Sequence, residues 1–343
     1  MVTIKDIAVE AGVSKSTVSR VLNQNGFVSE DARKRVLQVI EKYDYQPSES
    51  ARALCQRTTK MIGVIFPRIH NDFYGEVLQG ITQAADERQM SLIFCNTDDD
   101  AEKEERALRL LKGQRVRGVI LALAKDNPGK NLRERLQKQI RELNVPVVFL
   151  DRKLPDQNDS VLYDNFGAAY RATEELIKAG NRRIGVITGD MNLKIGRERF
   201  EGFQNAMEDY QVPIQERDIY YGNFQMDLAY DLSCAMYDSG DYPEAMLTSN
   251  NDTTLGFLRA TRERSMKLGR EIAHVGIDHI TVLDTIGYQY SHIGRDSVGT
   301  GRKAMELLIR KIEDPERKPE TIIMPYTVDL MGTERRTGKK EQS

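Results

Sequence analysis

Apolar side chains recur every three to four positions in three short runs at the start of the chain, the spacing of one helix face. Ile4, Ile7, Ala8 and Ala11 line the first run. Thr3 can cap it, with Asp6 three positions on in a capping-box-like arrangement. Gly12-Val13 makes a turn, and Ser14 is a good N-cap for a second helix over residues 15–22. Residues 23–26 read as a loop. Ser29 caps a third helix that turns Val36, Val39 and Ile40 inward, and Val13, Val18 and Val21 join the same core. Helix, tight glycine turn, helix is the outline of a helix-turn-helix. Pro47 then breaks the chain. Residues 48–55 are helix-capable, but eight residues are marginal alone in water, so the stretch orders only against something else.

From Met61 the pattern changes to strand-length apolar runs bounded by turn residues, at 61–66, 92–96, 118–124 and 145–150. Helical stretches lie between them near 73–87, 102–111 and 132–143. The rhythm restarts after Asp164. Helices near 167–179, 198–210, 227–236 and 252–264 alternate with strands at 183–188, 218–221, 245–248 and 273–277. Alternating βα units predict an α/β fold with parallel sheets covered on both faces. Nine or so strands sit better in two sheets than in one. The expectation is an all-α headpiece over 1–46, a hinge over 47–59 and a core over 60–331. That core holds two doubly wound lobes, crossed near 160–165 and 285–295. A charged, unstructured tail over 332–343 completes the chain. Ligands of such folds bind beyond the C-terminal strand ends, here between the lobes.

Charge sharpens the division. Residues 1–60 hold ten Lys/Arg against seven Asp/Glu, whereas the rest holds forty against forty-five. The excess is modest and only permits nucleic-acid binding. No apolar run reaches the 18–20 residues or so of a membrane span, and no secretory signal pattern is visible at the N-terminus. Three widely spaced cysteines fit a reducing, cytoplasmic setting. No GxSxG, P-loop, HExxH or CxxC pattern occurs, so neither an enzyme, a metal nor a cofactor is expected.

The stretch VTIKDIAVEAGVSKSTVSRV over residues 2–21, continuing to Asn23, resembles the DNA-binding signature of the lactose-repressor (LacI/GalR) family, whose pattern runs TIxDVAxxAGVSxxTVSRVLN. The likeness extends to about residue 331 through FYGEVLQGI, GVILALA, RIGVITG and RFEGF, and through a closing Gly-Ile-Asp-His. It implies a headpiece, a hinge helix, a two-lobed core like that of periplasmic sugar-binding proteins, a homodimer and a palindromic operator. It also implies that Lys15, Ser16 and Arg20 read bases, and that Thr17 and Ser19 touch phosphates. Lys15 and Arg20 suit guanine O6 and N7, and a recognition helix presents such side chains to the major groove. Thr3 and Asn23 are further phosphate candidates. By the same resemblance Leu54, flanked by Arg52 and Ala53, enters the minor groove as an apolar wedge.

A sugar site needs polar groups for hydroxyls and an aromatic face for the ring. The resemblance implies an effector site with Phe73 and Tyr74 at the cleft mouth, and with Arg199, Phe224, Asn250 and Asp278. Asn251 departs from the family's usual Asn-Asp pair, which leaves its role open. Asp151 and Asp164 are weaker candidates. The reading is a repressor whose operator affinity answers to a sugar or sugar acid. A solute-binding transport receptor would fit the core alone, but the headpiece opposes it. A carbon-control regulator answering to a phosphocarrier protein remains open.

Overall fold

The computed structural model describes residues 2–23, 26–43, 45, 59–126, 129–155 and 158–337. They belong to two compact units, Met1–Thr59 and Lys60–Ser343, each taken by itself.

The first unit holds α1 (Ile4–Glu10), α2 (Lys15–Asn23) and α3 (Glu30–Lys42). The Thr3 side chain accepts from Asp6 N while the Asp6 carboxylate accepts from Thr3 N, a complete capping box. Ser14 Oγ accepts from Thr17 N at 3.2 Å, and Ser29 Oγ accepts from Ala32 N at 3.4 Å. Ile7, Ala8, Ala11, Val18, Val21, Val36 and Val39 are buried together, with Val13 and Ile40 packed on them. The hinge expectation over 47–59 falls, but for Thr59, outside the described residues.

The second unit is two stacked α/β lobes. Lobe 1 is a six-stranded sheet, every pairing parallel. Its strands are β1 (Met61–Phe66), β2 (Ser91–Asn96), β3 (Gly118–Leu121), β4 (Val147–Leu150), β5 (Asp159–Tyr163) and β11 (Thr321–Met324), in the order β11-β5-β4-β3-β1-β2. Helices α4 (Asp72–Asp86) and α12 (Ser297–Glu313) cover one face, and α5 (Ala101–Gln114) and α6 (Lys130–Leu143) the other. Strands covered on both faces carry continuous apolar runs, as β1 and β3 do.

Lobe 2 has the order β12-β10-β9-β8-β6-β7. Its strands are β6 (Ile184–Thr188), β7 (Ile219–Tyr221), β8 (Ala245–Thr248), β9 (Ala273–Ile277), β10 (Ser291–Arg295) and the antiparallel edge β12 (Tyr326–Asp329). Helices α7 (Asn165–Lys178) and α8 (Lys194–Asp209) pack on one face, and α9 (Met226–Asp238) and α10 (Asn251–Glu263) on the other. The short α11 (Thr281–Thr285) follows β9. The chain passes between lobes three times, at Asp164, Asp296 and Pro325.

Two features depart from the sequence reading. The sheets hold twelve described strands rather than nine or so: β5, β10, β11 and β12 join the eight whose ranges the sequence marks. The tail begins later than expected. Thr333 and Glu334 are buried, Ser291 N donates to Thr333 Oγ1 at 2.8 Å, and Thr333 Oγ1 donates to His274 O at 2.9 Å. Residues 332–337 are therefore docked on lobe 2 by hydrogen bonds that charge composition does not reveal.

Helices α4 and α12 approach most closely where each carries a glycine. A β-carbon at Gly80 would overlap the Val298 carbonyl, and one at Gly301 would overlap the Val77 carbonyl. Backbone cannot retreat as a flexible side chain can. Gly80→Val is expected to destabilise the core unit by about 1–3 kcal/mol or more, read as a melting point several degrees lower. An unchanged melting curve would show that the helices part freely here.

Glu104, in the first turn of α5, is buried and accepts a hydrogen bond from Ala124 N at 2.8 Å. Its Oε2 has no partner, and burial, opposed by that bond, holds its pKa up at about 7. A carboxyl raised in the folded state favours folding below its ordinary value of 4.5. That contribution is lost as pH rises through 7, on the order of 3 kcal/mol. Glu104→Gln should flatten the stability profile between pH 5 and 8 in denaturant titrations. A parent profile already flat across that range would contradict the assignment.

Candidate DNA-reading surface and effector cleft

On the headpiece, α2 presents Lys15, Ser16 and Arg20 to solvent, whereas Val18 and Val21 on its opposite side are buried. Thr17 and Ser19 are half-buried at the edge of that exposed face. Ser14 Oγ lies 2.7 Å from Ser16 Oγ and 2.9 Å from Thr17 Oγ1, so the first turn carries a hydroxyl cluster. Thr3 is exposed, and its hydroxyl donates to Asp6 Oδ2 at 2.7 Å. Asn23 closes α2. Arg52, Ala53 and Leu54 lie outside the described residues.

In the core unit, seven of the eight candidate effector residues line one small cavity between the lobes. They are Phe73, Tyr74 and Asp151 from lobe 1 with Arg199, Phe224, Asn250 and Asp278 from lobe 2. Asp164 does not join them. Its side chain caps α7, accepting from Gly167 N at 2.8 Å, and it lines a wider groove of about 840 Å³ along the lobe junction. That groove shares Asp151, Arg152 and Ile195 with the cavity. Phe73 and Tyr74 are buried rather than at the mouth, because their rings pack on Tyr163 and Phe66 in the lobe 1 core. The Asn250 side chain is taken up by helix capping, with Oδ1 accepting from Thr253 N at 2.9 Å.

Three of these residues hold backbone conformations that non-glycine residues rarely adopt: Asp151 (φ 60°), Phe224 (φ 56°) and Asp278 (φ 81°). Such strain persists only where surrounding contacts over-determine it, and it concentrates at ligand sites. All three sit just beyond strand ends, where doubly wound folds place their ligands.

The residue that organises the cleft is one the sequence reading missed. Arg295, the last residue of β10, donates to Asp278 Oδ1 at 2.5 Å and lies 3.5 Å from Asp151 Oδ1 across the cleft. Its guanidinium stands 3.9 Å from the Phe73 ring centroid and 4.8 Å from that of Tyr163. Burial alone would lower its pKa, but the two carboxylates raise it above the usual arginine range. Asp151 also accepts from Tyr74 Oη at 2.9 Å, and burial drives that phenol well above its ordinary pKa. Arg199 is fully buried. Its Nε donates to Asn165 Oδ1 at 3.0 Å and its Nη1 to Ser249 O. Burial, then the charge of Arg295, lowers its pKa to about 10.

Direct bonds hold the lobes together around the cavity. Asn71 Nδ2 donates to Asn251 Oδ1 and to Asp252 Oδ2, each at 2.7 Å, which gives Asn251 a role as a bridge between lobes. Arg68 Nη1 donates to Phe224 O at 3.0 Å, while its Nε is paired with Asp99. Both oxygens of Asp126 accept from Lys194 N at 2.9 Å, so a lobe 1 carboxylate sits at the N-terminus of α8 in lobe 2. Burial raises the Asp126 pKa against these bonds. The space between these residues measures about 40 Å³, room for a few waters. A monosaccharide needs more room than this.

Residues 3–48 match the description "Bacterial regulatory proteins, lacI family", and residues 59–334 match "Periplasmic binding proteins and sugar binding domain of LacI family". The chain belongs to the LacI family. It is similar to the "HTH-type transcriptional repressor PurR" of Actinobacillus pleuropneumoniae serotype 3 (strain JL03), at 31% identity over 94% of this chain and 95% of the relative. It is also similar to the "Ribose operon repressor" of Haemophilus influenzae (strain ATCC 51907 / DSM 11121 / KW20 / Rd), at 28% identity over 96% and 98%. A lac repressor dimer bound to operator and the anti-inducer ONPF shares the fold, with TM-score 0.85, 24% identity and 97% and 99% coverage. This LacI-family chain is a DNA-binding transcriptional repressor with a core of the family's sugar-binding type, not an enzyme. Among the described residues no helix is long and apolar enough to cross a membrane.

Proposed function

We propose that this LacI-family repressor acts in the cytoplasm, on the nucleoid, as a homodimer on a palindromic operator, and that a sugar or sugar acid held between its lobes sets operator affinity. The observation that carries the effector reading is the convergence of Arg199, Arg295, Asp151 and Asp278 with Phe73 and Phe224 on one cavity. Guanidinium and carboxylate groups accept and donate to vicinal hydroxyls, and the rings offer apolar faces. The name of the ribose operon repressor supports a sugar as ligand class.

Lys15, Ser16 and Arg20 read bases, Thr3, Thr17, Ser19 and Asn23 hold phosphates, and Leu54 with Arg52 and Ala53 takes the minor groove. The exposed α2 face supports the first part of this assignment. A dimer is supported by apolar side chains left in solvent around α11, with Val282 59% and Ile286 73% exposed.

Effector entry breaks the bonds from Asn71 to Asn251, Arg68 to Phe224 and Lys194 to Asp126, and the three crossings at 164, 296 and 325 absorb the lobe rotation. In a dimer that rotation changes the separation of the two hinge segments, and with it DNA affinity. The test is selection of bound sequences from a random DNA pool by the full-length protein. Enrichment of inverted repeats, with affinity falling steeply as salt rises, is the expected result. Recovery of unenriched DNA would overturn the operator reading.

A further inference from the structure

We propose that the effector is an acidic monosaccharide, carrying one oxyanion, and that Arg295 with Arg199 selects it over the neutral sugar. The proposal rests on the effector reading above and narrows its ligand class.

Four arginines line the cavity, and they differ in how their charge is met. Arg68 and Arg152 share the Asp99 carboxylate. Arg295 has Asp278 and, more distantly, Asp151. Arg199 has neither. Its acceptors are a side-chain amide and a backbone carbonyl, and no carboxylate among the described residues pairs with it. A buried cation bonded only to dipoles is unfavourable, and the neighbouring charge of Arg295 makes it more so; Asp278 and Asp151, acting at longer range, offset only part of this, and the pKa stays lowered. An anion placed against Arg199 and Arg295 relieves both effects, and a neutral sugar relieves neither.

Three more atoms carry the second half of the inference. Arg295 Nη1, Asp151 Oδ1 and Asp278 Oδ2 are buried and make no hydrogen bond, Nη1 and Asp151 Oδ1 facing each other only as a long ion pair at 3.5 Å. One is a donor and two are acceptors. Buried polar atoms of this kind call for a ligand that meets them, because each costs free energy while it is unmet. Hydroxyl groups donate to the two carboxylate oxygens, and an oxyanion accepts from Nη1. A ligand with adjacent hydroxyls and a single acid group supplies the full set. A purine base would bring the two carboxylates ring N–H donors but no negative charge.

Arg295 is built to hold one position. The Phe73 and Tyr163 rings and Asp278 fix the guanidinium plane, with Nη1 turned toward Asp151 of the opposite lobe. A guanidinium held in place binds a carboxylate or phosphate in fork geometry, with charge-assisted bonds about twice as strong as neutral ones. The difference corresponds to about a tenfold step in affinity per bond.

The experiment is calorimetric titration of the full-length protein with D-glucose, D-glucuronate, D-gluconate, D-ribose, D-ribose 5-phosphate and hypoxanthine. It is repeated on Arg295→Gln and on Arg295→Lys, each checked for a parent-like melting curve. The expected result is that an acid binds at least about tenfold tighter than its neutral counterpart. Arg295→Gln should shrink that ratio toward one, and Arg295→Lys should retain part of it. Preference for glucuronate or gluconate identifies the oxyanion as carboxylate, and preference for ribose 5-phosphate identifies it as phosphate. A neutral sugar binding as tightly as its acid, or a ratio untouched by Arg295→Gln, overturns this inference and leaves the sugar-effector reading standing. Binding of hypoxanthine alone overturns both.

Discussion

Asp278→Ala is expected to cost about 3–5 kcal/mol of core stability and to abolish the response to effector. Asp278 is buried, and its Oδ1 holds Arg295 at 2.5 Å. Removing one partner of a buried pair leaves the other charge uncompensated, and that penalty exceeds what the intact pair contributes. Here the orphan would be a guanidinium already pressed between Phe73 and Tyr163, with Asp151 at 3.5 Å as its remaining carboxylate. The effect on ligand follows from the same geometry, since Asp278 lines the cavity and its Oδ2 makes no hydrogen bond. Chemical denaturation gives the stability change, and calorimetry gives the binding. A variant that unfolds within about 1 kcal/mol of the parent and still binds ligand would show that Asp278 is an ordinary loop residue.

Arg20→Ala is expected to lower operator affinity about 5–150-fold, or about 1–3 kcal/mol, while leaving the headpiece folded. Arg20 is exposed on the outer face of α2 and contributes nothing to the cluster of Ile7, Val18, Val21 and Val36. A base contact and a phosphate contact are distinguished by what else changes. Loss of a base contact relaxes sequence preference at one operator position and leaves non-specific affinity nearly intact. Loss of a phosphate contact weakens all sequences alike and reduces the salt slope by about one. Footprint titrations on operator and random DNA at three salt concentrations separate the two. Equal weakening on both DNAs would remove Arg20 from the base-reading set.

Much of the architecture was legible in the chain. The change at Met61 from helical to strand-length spacing marked where the core unit starts, because buried parallel strands demand apolar runs such as MIGVIF. The strands that escaped notice lack that signature. β10 reads Ser-His-Ile-Gly-Arg, and its polar side chains are buried by hydrogen bonds to Tyr290, Asp278 and the 333–334 segment. β11 alternates between exposed and half-buried positions and no residue of β12 is fully buried, because each strand lies at a sheet edge. Missing β10 meant missing Arg295.

The cleft's internal bonds were hidden for a related reason. Arg68 meets Asp99 31 positions away, Asn71 meets Asn251 180 positions away, and Asp126 meets Lys194 N 68 positions away. No local spacing encodes such pairs. The first joins two loops of lobe 1, and the other two exist only because the lobes close on each other in the folded core. Asp164 misled for the opposite reason. An aspartate at a lobe crossing has the chemistry of a ligand contact, yet three positions before Gly167 it is a helix cap.

The proposed repressor requires energetic coupling between the cleft and the DNA-reading face. The direct measurement is fluorescence anisotropy of the full-length protein on a palindromic operator with a central CG step, with and without saturating D-glucuronate, D-gluconate, D-ribose 5-phosphate or their neutral counterparts. A shift of operator affinity by about 5–150-fold, in either direction, with one of these ligands is the predicted result. Operator binding that is tight and salt-sensitive but identical with every ligand, including those that calorimetry shows to be bound, would contradict it.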